Sequence, residues 1–401
     1  MRRVLLFNNT PAPYFVPLFE ALGRRSGWSL TVSFASRWKA DTGWRRGELA
    51  TTLRGVETRY LDEEPSPGGS WLGRQAGAVL VLLRFLWRER PDYLLIYGYT
   101  LPPQMTLILW GLVTRTPFAV IGDANIHCDR ARGLRRRLKR CWLGVILRRA
   151  AVVPTIGEAN RQFWLSYGAR EEQLAPVPFS VDNDFFAKEA ARSRAQAVEE
   201  RCRLGLSEAV VFLSVGRLIP RKNLATLIRA FRRVESAKIG LLIVGTGEER
   251  VRLEQLAAGD RRIHLVGGVA PTDLPRWYAM SDVLVLLSEN EPWGLVINEA
   301  MACGLAILTH RHCGAAPDLV DHQNGIVLEG WGEEEIAQAL RQLSGSEEEG
   351  RRALQQSSRE KIARWGIEAT VQGLIEAVER TPFRASRRRR DHRRQRGERS
   401  E

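Results

Sequence analysis

A chain of 401 residues, 44% of them hydrophobic, is too long for one ordinary core and is expected to fold as two domains. Its five cysteines (Cys128, Cys141, Cys202, Cys303 and Cys313) are scattered, odd in number and free of CxxC spacing, which argues against a disulfide frame or a zinc site and for a reducing compartment. The formal charge of +14 is local: residues 130–149 carry nine Lys or Arg and no acid, and residues 384–401 nine Arg against three acids, so the chain as a whole is no general nucleic-acid-binding surface.

The chain opens with Met1-Arg2-Arg3 and a short apolar run, too short for a signal peptide and better read as a buried strand over 4–7. Further strands are expected over 30–34, 93–97, 118–121 and 152–154, with helical stretches between several of them. The most apolar stretches, 79–83 and 105–121, are interrupted by Arg84, Arg115 and Pro117, so no spanning helix is expected and a cytoplasmic location is. After a polar, helical stretch over 188–206 the alternation restarts. Strands fall over 210–215, 240–244, 263–266, 283–287, 306–309 and 325–327, with helices over 224–237, 248–258, 275–280 and 295–303. Such alternation means α/β architecture with parallel sheets and crossover helices. Two Rossmann-like domains facing across a cleft are expected, residues 1–185 and 186–364. A C-terminal helix over 365–383 would rejoin the first domain, and the basic tail over 384–401 is read as disordered.

In open parallel sheets, ligands sit beyond the carboxyl ends of the strands, so the loops there carry the chemistry. The loop Val215-Gly216-Arg217-Leu218-Ile219-Pro220-Arg221-Lys222 offers a close backbone approach at Gly216, and Arg217 and Lys222 are suited to neutralise a departing diphosphate. A solvated basic turn would look the same. Gly245 and Gly247 suit a tight turn near a phosphate, although the third glycine of a GxGxxG fingerprint is replaced by Arg250. The segment from Ser288 to Gly304 is the most informative. Glu291 precedes a helix whose first-turn amides, around Gly294, Leu295 and Val296, suit an anion, and Glu299 follows eight residues after Glu291. At about 1.5 Å per residue the two carboxylates can grip different hydroxyl-bearing parts of one extended ligand.

Glu291 and Glu299 form the E-x7-E pattern, and EPWGLVINEAMACGLAIL resembles the donor-site signature of the GT-B, family 4 retaining glycosyltransferases of the group 1 type. The likeness runs in order through VGRLIPRKN, IVGTGEE, IHLVGGV, YAMSDV and DHQNGIVLE, covering essentially all of residues 208–330. It implies that Arg217 and Lys222 bind the diphosphate of a nucleotide-sugar donor, that Glu291 contacts the sugar and Glu299 the ribose, and that Val266 and Gly267 lie against the base. The first half is looser: where many members carry a glycine-rich loop, this chain reads Asn8-Asn9-Thr10-Pro11-Ala12-Pro13-Tyr14. Asp123, Asn125 and His127 are the candidates for the polar residue that lies near the reacting centre in the family. Asp182-Asn183-Asp184 mimics a metal-binding DxD but falls at the family's interdomain crossover, and His310-Arg311-His312-Cys313 is read as structural, so no metal and no cofactor are expected.

Within 130–149, Leu134, Leu138, Cys141, Val145 and Ile146 recur at helical spacing among Arg135, Arg136, Arg137, Lys139 and Arg140. A basic amphipathic helix there suits an anionic membrane surface, with Trp142, Trp38, Trp44 and Trp71 as interfacial candidates; a core-facing helix with a solvated basic back is the alternative. The expected acceptor is a glycan or lipid-linked molecule of polysaccharide, lipopolysaccharide or glycolipid synthesis, and no specific nucleic acid is expected. Rival readings are a sugar-nucleotide epimerase of the same architecture and a non-catalytic basic protein binding RNA or membrane.

Overall fold

Apolar runs too continuous to leave one side to solvent form strands buried on both faces, as parallel sheets require. The computed structural model describes residues 1–36, 52–62 and 71–381. In the first domain β1 (Arg3–Asn8), β2 (Ser29–Phe34), β3 (Glu57–Tyr60), β4 (Tyr93–Tyr97) and β5 (Phe118–Ile121) form a parallel sheet in the order β3-β2-β1-β4-β5. A single bridge from Ala119 to Val152 continues it to the paired β6 (Val153–Thr155) and β7 (Leu174–Pro176). The second domain repeats the plan. Its β8 (Val210–Val215), β9 (Ile239–Val244), β10 (Ile263–Gly267), β11 (Val283–Leu286), β12 (Ala306–His310) and β13 (Gly325–Leu328) run in the order β10-β9-β8-β11-β12-β13, all parallel. In both sheets the order reverses beside the first strand, which opens a crevice at the carboxyl ends there.

Two expected features differ. The stretch 188–206 is two helices, Asn183–Arg192 and Arg194–Arg203, and the helix expected over 224–237 stops at Arg232. The helix Asn183–Arg192 packs on the second domain, where Phe186 joins the core of Tyr278, Ala300 and Met301. The crossover therefore runs through residues 177–182, just ahead of the expected division at 185. At its end Asp182 caps that helix by accepting from the Phe185 N–H at 2.9 Å, which gives this acid a structural task.

The last described helix, Ile367–Glu379, returns to the first domain. Val371, Leu374 and Val378 share a core with Leu18, Phe19 and Leu22, and Arg2 donates to the Val378 carbonyl at 2.9 Å. Thr370 donates to the Pro178 carbonyl at 2.6 Å and so ties this helix to the crossover. The basic tail, Trp38, Trp44 and the side chain of Trp71 lie outside the described residues.

Candidate active site

At the end of β8 the backbone enters a conformation open to glycine alone, Gly216 at φ +148°, and a one-turn helix, Pro220–Lys222, closes at Asn223. This turn brings the Lys222 ammonium 2.5 Å from Glu291 Oε2, with both side chains about seven-eighths covered (14% and 12% exposed). The two loops are clamped as well: Glu289 N–H donates to the Arg221 carbonyl at 2.9 Å, and the Arg221 guanidinium donates to the Asn290 carbonyl at 2.7 Å. Arg217 stands exposed on the same loop. Gly245 and Gly247 have a steric reason to be glycine that the sequence did not reveal. A Cβ on Gly245 would lie 1.7 Å from the Gly216 carbonyl oxygen, and one on Gly247 2.2 Å from that of Leu218. Loop packs on loop.

Gly294, at φ +101°, turns the chain into the helix Leu295–Cys303. A Cβ there would meet Cys313 Sγ and Leu286 Cδ2 at 2.9 Å, so only glycine lets the helix start beside β11. The amides of Gly294, Leu295 and Val296 have no intrahelical acceptor and carry the positive end of the helix dipole. One turn further on, Glu299 accepts a 2.6 Å hydrogen bond from the Tyr278 hydroxyl. Only a rim of Glu299 reaches solvent, and burial pushes its carboxyl up to about 7 against the opposing pull of that hydrogen bond. Val266 packs against the same core as Tyr278, Leu295 and Val296. The residues expected at a donor site thus line one edge of the second domain.

The three first-domain candidates have separate fates. Asn125 is fully buried and its amide donates to the carbonyls of Glu291 and Pro292 at 2.9 and 3.0 Å, pinning the Glu291 loop across the domain boundary. Asp123 is open to solvent but sits in a concave wall, where loss of surrounding water first and Glu291 second raise its carboxyl above the usual range. It lines a cavity of about 370 Å³ at the ends of β1, β4 and β5. His127 does not line that cavity. Its ring stacks on His312 of the second domain at 5.1 Å, and desolvation, then His312 and Arg311, lower its affinity for a proton. His310 stacks on Trp331, and Cys313 donates to the Trp293 carbonyl. Among the described residues, no three His, Cys, Asp or Glu side chains converge as a metal would require.

The boundary is otherwise tight. A Cβ on Gly157 would lie 2.4 Å from the Trp293 ring, and Glu158 N–H donates to Asp318 at 2.9 Å. Sequence reasoning missed Asn298, whose buried amide accepts from Trp293 Nε1 and donates to the Phe179 carbonyl, both at 2.9 Å. It locks the helix that carries Glu299 to the crossover.

The basic helix, Gly133–Arg149, turns most of its expected apolar stripe outward but departs from expectation at Ile146, Lys139 and Trp142. The buried residues are Leu143, Ile146 and Leu147, whereas Leu134, Leu138, Cys141 and Val145 face outward. Arg135, Arg136, Arg137 and Arg140 are exposed beside them. Lys139 is not: it pairs with Asp129 at 2.9 Å and lies over the rings of Phe163 and Tyr167. Trp142 is also turned inward, its Nε1 donating to the Tyr99 carbonyl at 3.0 Å. No helix among the described residues is long and apolar enough to cross a membrane.

Two parallel α/β sheets facing each other, with a C-terminal helix returned to the first domain, define the GT-B architecture of glycosyltransferases. HepE of Anabaena, solved in complex with UDP-glucose, superposes with a TM-score of 0.72 at 18% identity, covering 95% of this chain and 100% of that one. Sucrose-phosphate synthase from Thermosynechococcus elongatus gives 0.74 at 19%, covering 94% and 98%. Residues 199–361 match the family model described as glycosyl transferases group 1. Among similar proteins, a GDP-mannose-dependent alpha-(1-6)-phosphatidylinositol monomannoside mannosyltransferase of Mycobacterium tuberculosis (strain CDC 1551 / Oshkosh) is 33% identical over 208 residues, 48% of this chain and 52% of its own. A D-inositol 3-phosphate glycosyltransferase of Geodermatophilus obscurus is 32% identical over 241 residues, 56% of this chain and 51% of its own. The chain thus spans about half the length of these relatives.

Proposed function

We propose that the protein is a retaining, metal-independent glycosyltransferase that moves a sugar from a UDP- or GDP-sugar to a glycan or lipid-linked acceptor. The observation that carries this reading is the Lys222–Glu291 pair, held at the carboxyl edge of the second sheet beside the start of the helix Leu295–Cys303. A diphosphate arriving at Gly216 would draw Lys222 and Arg217 toward itself and free Glu291 to accept from sugar hydroxyls. Glu299 would accept from the ribose. As the bond from sugar C1 to phosphate oxygen breaks, its electron pair leaves with the nucleoside diphosphate, whose growing charge meets Lys222, Arg217 and the helix amides. The acceptor oxygen bonds to C1 on the same face, and its proton passes to the departing phosphate oxygen. The enclosing domain boundary favours transfer over hydrolysis.

Binding supplies the test. UDP-, GDP- and ADP-sugars should be compared for their effect on melting temperature in EDTA. A donor at a hundred times its Kd stabilises by about 2.7 kcal/mol. One nucleotide class should raise the melting temperature and the others should not; no shift from any of them would overturn the proposal.

A peripheral contact with anionic lipid belongs to the same reading. The outward Leu134, Leu138 and Val145 (71%, 62% and 44% exposed) lie in the first domain, where the helices Trp71–Glu89 and Pro102–Thr114 also expose Trp87, Leu109 and Val113. Exposed apolar side chains ringed by arginines suit a lipid surface that is apolar below and anionic above.

A further inference from the structure

We infer that the first-domain cavity receives an uncharged, hydroxyl-rich ring of the acceptor and discriminates against a phosphorylated one. This rests on the transfer reading above and names the acceptor chemistry that it left open.

The cavity of about 370 Å³ falls within the usual range of small-molecule sites, roughly 300–1,000 Å³. Its wall contains a donor with nothing to bond. Asn8, at the end of β1, is 5% exposed; its Oδ1 accepts from the Asn9 N–H at 2.6 Å, but its Nδ2 has no partner among the described residues. A buried, unspent amide donor is costly unless a ligand oxygen meets it. Asn9 is oriented for the same work. Gln104 spends its NH₂ on Asn9 Oδ1 (2.9 Å) and the Tyr97 carbonyl (2.7 Å), and its Oε1 accepts from the amides of Thr100 and Leu101. Asn9 therefore keeps its own NH₂ as the side-chain donor.

Tyr14 and Tyr97 add aromatic surface suited to the C–H face of a sugar ring. Asp123 adds an acceptor for a hydroxyl proton. Among the described residues of the wall there is no Lys, Arg or His, and Asp123 is the one carboxylic acid. A phosphate monoester would meet that acid with no cation on the same wall to offset it. The two halves of the cleft are thus chemically divided. Cations and helix amides for a diphosphate lie on the second domain; amides, phenol rings and one acid for hydroxyls lie on the first.

The test uses the full chain and measures affinity for matched probes by ligand-observed NMR. Methyl α-D-glucopyranoside, methyl α-D-mannopyranoside and myo-inositol are the neutral set; glucose 6-phosphate, mannose 6-phosphate and myo-inositol 1-phosphate are the charged set. UDP and GDP are titrated in parallel. At least one neutral probe should bind tenfold or more tighter than its phosphate. Asn8→Leu should weaken that probe at least fivefold while nucleotide affinity stays within twofold. Should Asn8→Leu fail to fold, Asn8→Ser and the half-exposed Tyr14→Ala carry the same expectation. A phosphate that binds as well as its neutral partner overturns the inference, and so does binding of neither set by a protein that binds nucleotide. Loss of nucleotide binding alone, with neutral probes still bound through Asn8, instead counts against the donor reading.

Discussion

Replacing Glu299 by Gln separates what the donor site costs in stability from what it does. Burial raises the Glu299 carboxyl from 4.5 to about 7, so the folded chain holds this proton more tightly than the unfolded chain. The stability contributed by the protonated form is fully present below about pH 4.5 and is lost as pH rises through about 7. At about 1.36 kcal/mol for each pH unit between those values, the ionised carboxylate costs roughly 3 kcal/mol at pH 8. Glutamine is neutral throughout and its carbonyl can still accept from Tyr278. Glu299→Gln should therefore be more stable than the parent by up to about 3 kcal/mol at pH 8 and by close to nothing at pH 4.5, read as urea unfolding free energies. Nucleotide affinity should move the other way and fall about tenfold, because a hydrogen bond to a charged group contributes about 1.5–3 kcal/mol. A variant no more stable at pH 8, or one whose gain persists undiminished at pH 4.5, would refute the reasoning.

Lys222→Ala should lower transfer at least a hundredfold in single-turnover assays with the donor selected by melting temperature, whereas Glu291→Ala should reduce the bond-breaking rate more than donor affinity. Gly245→Ala should destabilise the second domain by at least about 2 kcal/mol in urea titrations, because its Cβ would overlap the Gly216 carbonyl oxygen at 1.7 Å. Leu134→Ser with Leu138→Ser should weaken adsorption to anionic vesicles several-fold while leaving urea stability within about 0.5 kcal/mol, since both side chains face outward. A core-facing stripe would give the reverse pattern.

Strands buried on both faces were legible because each is a nearly unbroken apolar run, as in β5 and β11. The two missed strands lack that signal. β3 reads Glu-Thr-Arg-Tyr at a half-exposed sheet edge, and β7 has three residues ending in Pro176. The helix Gly133–Arg149 was legible as a helix, but its sequence left open whether the stripe through Leu134 and Leu138 faces outward or the core. Two apolar stripes compete there, and tertiary packing selected Leu143, Ile146 and Leu147. Glu291 and Lys222 each stood out in a loop, but their contact spans 69 residues and has no local trace. The same holds for Asn125, which meets the Glu291 loop 166 residues away. Lys139 illustrates the opposite failure: a cation in a basic run, read as surface, is paired with Asp129 only ten residues earlier.

The central claim is that the second domain grips a nucleoside diphosphate between the Gly216 loop and the helix Leu295–Cys303. A crystal structure of the full chain with the nucleoside diphosphate selected by the melting-temperature panel tests it most directly. The account predicts diphosphate oxygens about 3 Å from Lys222 Nζ and the Gly216 backbone, a ribose hydroxyl at the same distance from Glu299, and Lys222 drawn away from Glu291. A nucleotide seated in the first-domain cavity, with the Lys222–Glu291 pair intact, would contradict it.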